Sequence, residues 1–286
     1  MRAPAIGVLP YGMDIGPDLA LCPLSRIRFP LGLPDALAGG SVADLGSDDH
    51  LVLFPRVASH LRMRRGTHAK ISLMQGEPSV FFRKHMSMLH LSHRRFFRVL
   101  SFNEDLLARI PNGIFFPYGT TWIPDWRDLD IEKAGMCSLV ASAKRDSTGH
   151  KLRHEIVQWA QNNNQDVKVL GRGYAPFEDK ADGLAPYRYS VVIENVREPN
   201  YFSEKLLDTV FCGAVPIYWG CPNLDRFCDP TGIIQCNSAE EIRNAVSSMS
   251  QTDFSERGSD LMRLQQELGK FADLPLRAAT AIRDSL

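Results

Sequence analysis

From Met136 onward, short apolar runs alternate with helical stripes, and that alternation restricts the second half of the chain to very few folds. Met136-Cys137-Ser138-Leu139-Val140-Ala141 reads as a buried strand, followed by a helix carrying Leu152, Ile156, Trp159 and Ala160 at i, i+4, i+7 and i+8. Val167-Lys168-Val169-Leu170 and residues 189–193 read as the next two strands. A helix over about 203–212 then sets Leu206, Leu207, Val210 and Phe211 on one side. Residues 214–219 and 232–234 supply two more strands, and the helix after Ser238 buries Ile242, Ala245, Val246 and Met249. Strands separated by helices imply a parallel sheet covered on both faces, so a Rossmann-like domain is expected here.

The first half is less regular. Apolar runs at 5–9, 51–54, 71–74 and 98–100 are candidate strands of a second α/β unit, but Pro30, Pro34, Gly39 and Gly40 break up one of the helices between them. Turn punctuation brackets Pro117-Tyr118-Gly119-Thr120-Thr121-Trp122-Ile123-Pro124, which places an inter-domain linker there. The expected organisation is a first Rossmann-like domain over 1–122, a second over 123–265 and a helical C-terminal tail over 266–286. Two such units would leave a cleft between them, and ligands of open α/β sheets bind at the carboxyl ends of strands.

Charge excludes some classes of partner. Lys+Arg and Asp+Glu each total 33 in a chain of 286 residues, so the formal charge is zero. A general nucleic-acid or membrane-surface binder would need a basic excess, whereas a local basic cleft for one diphosphate remains compatible. No stretch approaches the roughly 20 apolar residues that span a bilayer. Ala5-Ile6-Gly7-Val8-Leu9 is stopped by Pro10 and is too short for a signal-peptide core. A cytoplasmic location is expected, with peripheral membrane contact left open. Cys22, Cys137, Cys212, Cys221, Cys228 and Cys236 form no CxxC pair and no metal spacing, which suits buried free thiols in a reducing compartment.

Chemistry concentrates where the strand over 189–193 ends in Glu194-Asn195. A short loop leads from there to a helix whose expected cap is Ser203. The start of such a helix offers unpaired N–H groups and a positive dipole end, a ready anion site, and Lys205 would add a point charge to it. Lysine in a first helical turn opposes the dipole, and a bound diphosphate would remove that conflict. Glu204 can accept hydrogen bonds from ribose hydroxyls. Each residue also has a structural reading: Glu204 and Lys205 as a solvated pair, Asn195 as a turn residue, Arg153 as a surface helix arginine, Tyr201 as a ring packed over the loop.

The segment resembles the donor-binding signature of the α1,3/4-fucosyltransferases, glycosyltransferase family 10. That signature has an aromatic-rich strand, Glu-Asn, a short loop, Tyr-x-[ST]-Glu-Lys, and then Gly-x-[VI]-Pro-[IV]-x-x-Gly-x-Pro. Here it reads Glu194-Asn195, Tyr201-Phe202-Ser203-Glu204-Lys205 and Gly213-Ala214-Val215-Pro216-Ile217-Tyr218-Trp219-Gly220-Cys221-Pro222. Upstream, Ser142 and Lys151-Leu152-Arg153 look like the strand and arginine helix that open the family's donor domain, and the similarity runs over about 136–249. The resemblance implies an α/β fold of the GT-B type, two Rossmann-like domains facing across a cleft, the first for the acceptor and the second for the GDP-sugar donor.

It further implies donor-binding roles. Arg153 and Lys205 would neutralise the GDP phosphates, and Asn195, Tyr201 and Glu204 would complete a nucleotide pocket that also includes Glu194 and Ser203. In the first half, Gln75-Gly76-Glu77-Pro78 corresponds to the family's Glu, followed closely by Pro, proposed as catalytic base. The family often has Glu-Ser-Pro where this chain has Glu77-Pro78. Phe115-Phe116-Pro117-Tyr118-Gly119 looks like the family's Pro-Tyr-Gly segment. The implied reaction transfers L-fucose from GDP-fucose to a hydroxyl of an acceptor glycan with inversion, Glu77 taking the acceptor proton. No cofactor or metal is required, although a divalent ion could stimulate. The acceptor would be an oligosaccharide or lipopolysaccharide in a bacterial surface-polysaccharide pathway, and no nucleic acid is involved. A related transferase using another GDP- or UDP-sugar, and a non-catalytic nucleotide- or glycan-binding protein, are the alternatives.

Other motifs are read more plainly. Asp128-Leu129-Asp130 is a DxD, but it follows Trp126-Arg127 in the linker rather than a buried strand, so no metal site is expected. Gly171-Arg172-Gly173 lacks a third glycine and a following helix and reads as a turn. Residues 62–65, and 81–97 with their Arg, Lys, His and aromatic residues, could touch an acceptor glycan or a lipid-linked one. A solvated amphipathic helix face is the simpler account. Trp219 reads as core, and 261–286 as helical.

Overall fold

The computed structural model describes residues 2–13, 18–61 and 66–286. The chain forms two compact units, one of Met1–Tyr118 with Asp273–Leu286 and one of Gly119–Ala272.

The first unit is built on five parallel strands: β1 (Ile6–Val8), β2 (His50–Leu53), β3 (Lys70–Met74), β4 (Val99–Ser101) and β5 (Gly113–Phe115). They lie side by side in chain order. Leu51 stands opposite Gly7 on one side and Ile71 on the other. The apolar runs read from the sequence are β1 to β4, displaced by at most one residue at each end. Between β1 and β2 the prolines and glycines do what their backbones dictate: the chain makes 3-10 turns at Leu24–Arg26 and Asp35–Leu37, with Pro23 and Pro34 at their caps. Their buried residues Leu24 and Leu37, with Val42 and Leu45 just beyond, share one core with Leu51, Leu53, Ile71 and Leu73. Helices α1 (Val57–Leu61), α2 (Ser79–Ser92) and α3 (Glu104–Leu107) follow β2, β3 and β4. The expected basic run over 62–65 lies outside the described residues.

The second unit matches the alternation read from the sequence. Its elements are β6 (Gly135–Val140), α4 (Thr148–Asn162), β7 (Val167–Leu170), β8 (Tyr187–Ile193), α5 (Glu204–Phe211), β9 (Val215–Trp219), β10 (Ile234–Gln235), α6 (Ala239–Ser248), α7 (Gln251–Glu256) and α8 (Gly258–Gly269). The five strands run parallel in the order β10-β9-β8-β6-β7. Connections leave β6 towards one edge of the sheet and β8 towards the other, so the strand order reverses between these two neighbours. Helix α5 is too short to hold its shape alone. Burial of Leu206, Leu207, Val210 and Phe211 fixes it, each worth about 1.5–3 kcal/mol relative to exposure. Ser203 caps its start by accepting from the Lys205 N–H, and Gly213, at φ +64, ends it.

The division differs from the expected one. The first boundary falls at Tyr118/Gly119 rather than 122/123, because Thr121 and Trp122 hydrogen-bond to α5 and so belong to the second unit. Residues 266–286 are not a single tail. Helix α8 packs on α5 in the second unit, whereas α9 (Leu274–Arg283) packs on β1 and β2 of the first through Ala278, Ala279 and Ile282. Arg98 Nη2 then donates to the Ser285 carbonyl at 2.7 Å. All six cysteines are buried free thiols, as composition implied. Among the described residues no helix is long and apolar enough to cross a membrane.

Candidate functional site

The reversal between β6 and β8 is where open α/β sheets bind ligands, in the crevice beyond the carboxyl ends of the strands. Two helices begin there, α4 capped by Ser147 and α5 capped by Ser203. Gly149 brings the first turn of α4 hard against the end of β8: its N–H donates to the Asn195 carbonyl at 2.9 Å, and a Cβ would overlap the Glu194 carbonyl oxygen. Alanine would gain about 1 kcal/mol in helix propensity. Overlap with a backbone carbonyl costs more, so Gly149→Ala is expected to destabilise by about 2 kcal/mol in thermal unfolding. A variant as stable as the parent would refute this close seat.

Arg153, one turn further along α4, is 6% exposed. Its Nε and Nη2 donate to the Ile193 carbonyl at 2.9 and 2.5 Å, and Nη2 also reaches Asn195 Oδ1 at 2.9 Å. The family resemblance implies that Arg153 meets a phosphate. The structure instead ties these two nitrogens to the last residues of β8, where the sheet no longer supplies partners, leaving Nη1 without a protein partner among the described residues. Asn195 is accordingly a bridge between α4 and β8.

Glu194 is fully buried. One carboxylate oxygen accepts from Ser203 N at 2.8 Å, and the Ser203 hydroxyl lies 2.7 and 2.9 Å from the two oxygens. Lys205 Nζ is 3.5 Å from Glu194 and 3.1 Å from Glu204. The charge conflict expected for lysine in the first turn of α5 is therefore already relieved by two protein carboxylates, and needs no diphosphate to relieve it. Burial acts to raise the Glu204 carboxyl, but Lys205 and then Lys180 outweigh it and hold the group down at about 2. Burial likewise acts to lower the Lys205 ammonium, while Glu204 and Glu194 raise it further. Both groups stay charged at neutral pH. An anion arriving here meets cations that already have partners, and would bind by exchange.

Sequence reasoning missed two members of this network. Lys180, from a 3-10 turn at Lys180–Gly183, lies 3.9 Å from Glu204 and 2.6 Å from Asp208. Asp208 is fully buried and also accepts from Thr121 Oγ1 at 2.5 Å and Trp122 N at 3.1 Å. The signal was available: Asp208 sits one turn after Glu204 on a helix that carries Leu206, Leu207, Val210 and Phe211, and a buried acid requires a partner. Tyr201 is 3% exposed, so its ring packs within the loop, the structural option. Asn200 beside it adopts φ 63, held by Asn223, whose Oδ1 accepts from the Asn200 backbone N–H at 2.8 Å and whose Nδ2 donates to Asn200 Oδ1 at 2.9 Å. Gly220 leaves room for Tyr218 and Glu194 to meet, since a Cβ there would overlap the Tyr218 hydroxyl. The later half of the signature thus supports the first.

In the first unit, Glu77 lies just past β3, partly exposed, and Tyr11 donates its hydroxyl to Glu77 Oε1. Gln75 Nε2 donates to the Glu77 carbonyl at 2.9 Å, and Gln75 Oε1 accepts from the Ser101 hydroxyl at 2.6 Å. Phe54 meets the Tyr11 ring edge-on at 5.0 Å between centroids. Tyr11, from beyond β1, thus contacts the Glu77 carboxylate directly, while Phe54 supports the Tyr11 ring and Gln75 and Ser101 hold the Glu77 backbone. Tyr11 went unread because Pro10-Tyr11-Gly12 looks only like a turn. Asp128 and Asp130 are exposed, and among the described residues no group of His, Cys, Asp and Glu is arranged to hold a metal. Trp219 is buried in the second core, as read. Gly171 and Gly173 form a turn with positive φ against the end of β6.

No family model matches the chain. It is 26% identical over 69 residues to alpha-(1,3)-fucosyltransferase FucT of Helicobacter pylori, covering 24% of this chain and 14% of that protein. It is 26% identical over 161 residues to human 4-galactosyl-N-acetylglucosaminide 3-alpha-L-fucosyltransferase FUT6, covering 53% of this chain and 44% of that protein. In both cases the match spans less than half of the relative's own length. A crystal structure of an alpha1,3-fucosyltransferase superposes with a TM-score of 0.50 at 16% identity, over 82% of each chain, a likeness of fold. With the Glu194-to-Pro222 signature laid along β8, α5 and β9 of a fold of this class, the chain is a relative of the α1,3/4-fucosyltransferases.

Proposed function

We propose that the chain is an inverting glycosyltransferase that moves L-fucose from GDP-fucose to a hydroxyl of an acceptor glycan. The carrying observation is the charge network at the β6–β8 reversal, where Arg153, Lys205, Glu204 and Asn195 gather at the starts of two helices. In this reading Lys205 exchanges a carboxylate for a phosphate oxygen and stabilises the departing diphosphate, while Arg153 Nη1 adds a further donor. Glu204, released from Lys205, accepts from ribose hydroxyls. Glu194 and Ser203 hold the start of α5 in place, and Tyr201 keeps the loop closed over it. The diphosphate charge is assigned to these side chains and the helix end, with no metal required. Glu77 takes the proton of the acceptor hydroxyl as that oxygen attacks the anomeric carbon opposite the leaving GDP. The Tyr11 hydroxyl orients it. An oligosaccharide or lipopolysaccharide is the acceptor class, and this part rests on resemblance.

A nucleotide panel tests the reading. GDP and GDP-fucose at a hundredfold excess over Kd should stabilise the chain by about 2.7 kcal/mol, and UDP should not. Stabilisation by UDP alone would overturn the fucosyl assignment. GDP binding without hydrolysis or transfer across a glycan panel would identify a binding protein instead.

A further inference from the structure

Helix α2 has two faces that both carry apolar residues. Phe82 and Leu89 point into the first core and anchor it. On the outward side Val80, Lys84, Ser87 and Leu91 recur at spacings of four, three and four, one stripe of a helix, with Phe81 and Arg83 alongside. Leu91 is 91% exposed, Val80 52% and Phe81 43%. Leu61, at the end of α1, is 63% exposed, and the adjoining His60 ring meets His85 of α2 at 3.0 Å. From Ser79 to Arg98 the chain carries Arg83, Lys84, Arg94, Arg95 and Arg98 and no Asp or Glu. A merely solvated helix face would carry polar and charged residues and keep its leucines inside. The zero net charge of the whole chain conceals this one-signed segment.

We propose that the outward face of α2 docks on an anionic lipid bilayer, with Arg83 and Lys84 at the headgroups and Val80, Phe81 and Leu91 entering the boundary with the acyl chains. Charge complementarity selects an anionic surface. Exposed aliphatic and aromatic side chains among the cations select a bilayer over a nucleic acid, whose phosphates offer them nothing. Neither Arg83 nor Lys84 has an ion-pair partner among the described residues, so docking breaks no salt bridge of theirs. Helix α2 begins at Ser79, directly after Glu77 and Pro78, so a docked α2 would hold the first unit with Glu77 near the bilayer, as a lipid-linked acceptor would need. The docking surface itself does not depend on the proposed reaction.

Co-sedimentation of the full chain with phosphatidylcholine vesicles, with and without phosphatidylglycerol, tests the proposal. The chain should pellet with the anionic vesicles only, and less as salt rises. Arg83→Glu with Lys84→Glu should weaken that binding about tenfold or more. Phe81→Ser with Leu91→Ser should weaken it at low salt as well, and both pairs should keep the parental unfolding midpoint because the altered side chains are exposed. Equal pelleting with neutral and anionic vesicles, no pelleting with either, or unchanged binding in either variant overturns it. Retention of the chain on an acidic polypeptide or nucleic acid without vesicle binding would do the same. Vesicle binding requires no donor, so this result and that of the nucleotide panel are independent.

Discussion

Glu77→Gln is expected to lower transfer about a hundred- to ten-thousand-fold while leaving GDP affinity nearly unchanged. Glutamine fills the same volume, and its amide oxygen can still accept from the Tyr11 hydroxyl, so the local structure survives. What it cannot do is take a proton at neutral pH, and general-base catalysis contributes about 10²–10⁴ in rate. Glu77 belongs to the first unit and the proposed donor residues Arg153, Asn195, Glu204 and Lys205 to the second, so the substitution alters none of them. Initial rates with GDP-fucose and a glycan panel, together with calorimetric GDP titration, read the two quantities separately. Full transfer by the variant would remove Glu77 as base. Parallel loss of GDP affinity would show that the residue serves the fold or the donor instead. Tyr11→Phe offers a milder companion: the carboxylate persists but loses its orienting donor, so the rate should fall less than in the glutamine variant.

The limits of what could be read from sequence are physical. Strands β6, β8 and β9 are inner strands of a parallel sheet and run largely apolar, while β7, at the edge, shows itself by Val167, Val169 and Leu170 between turns, so all four stand out. Strand β5 is three residues at an edge, paired only with β4, and gives no periodic signal. The return of α9 to the first unit is a tertiary choice: its amphipathic pattern says that one face is buried and not against which core. Within the site, residue types and their clustering at Glu194–Lys205 were legible because the chain brings them together in one loop and helix start. Partnership was not. Nothing in the spacing says that Glu194 reaches back to Ser203, that Arg153 turns to the Ile193 carbonyl, or that Lys180 arrives from a separate turn to bridge Glu204 and Asp208. Long polar side chains choose among partners by position in space, and several choices here are satisfied by the protein itself.

That self-satisfaction makes Lys205→Ala the more informative test of the proposed donor site. Removing the ammonium leaves Glu194 and Glu204 as neighbouring carboxylates, with Ser203 still bound to Glu194 and Lys180 the nearest remaining cation to Glu204, at 3.9 Å. Breaking a buried pair costs about 3–5 kcal/mol. Here the lysine side chain is 27% exposed and Lys180 compensates in part, so a loss of about 2–3 kcal/mol is expected. The acid limb of the stability curve should change too. In the parent, Glu204 is held at about 2, below the ordinary carboxyl value of 4.5. Its contribution is therefore fully present above about pH 4.5 and is lost as pH falls towards 2. Without Lys205 that depression shrinks, so the variant should lose most at neutral pH and approach the parent near pH 2. GDP affinity should fall about tenfold or more, because the exchangeable cation is gone. Thermal unfolding from pH 7 to pH 2 and GDP titration at pH 7 distinguish the two roles. Weakened stability with unchanged GDP affinity would make Lys205 a structural clamp only. Weakened GDP binding with unchanged stability would mean that its carboxylate contacts are incidental, and that the exchange proposed for the donor phosphates starts from a cation that was never firmly held.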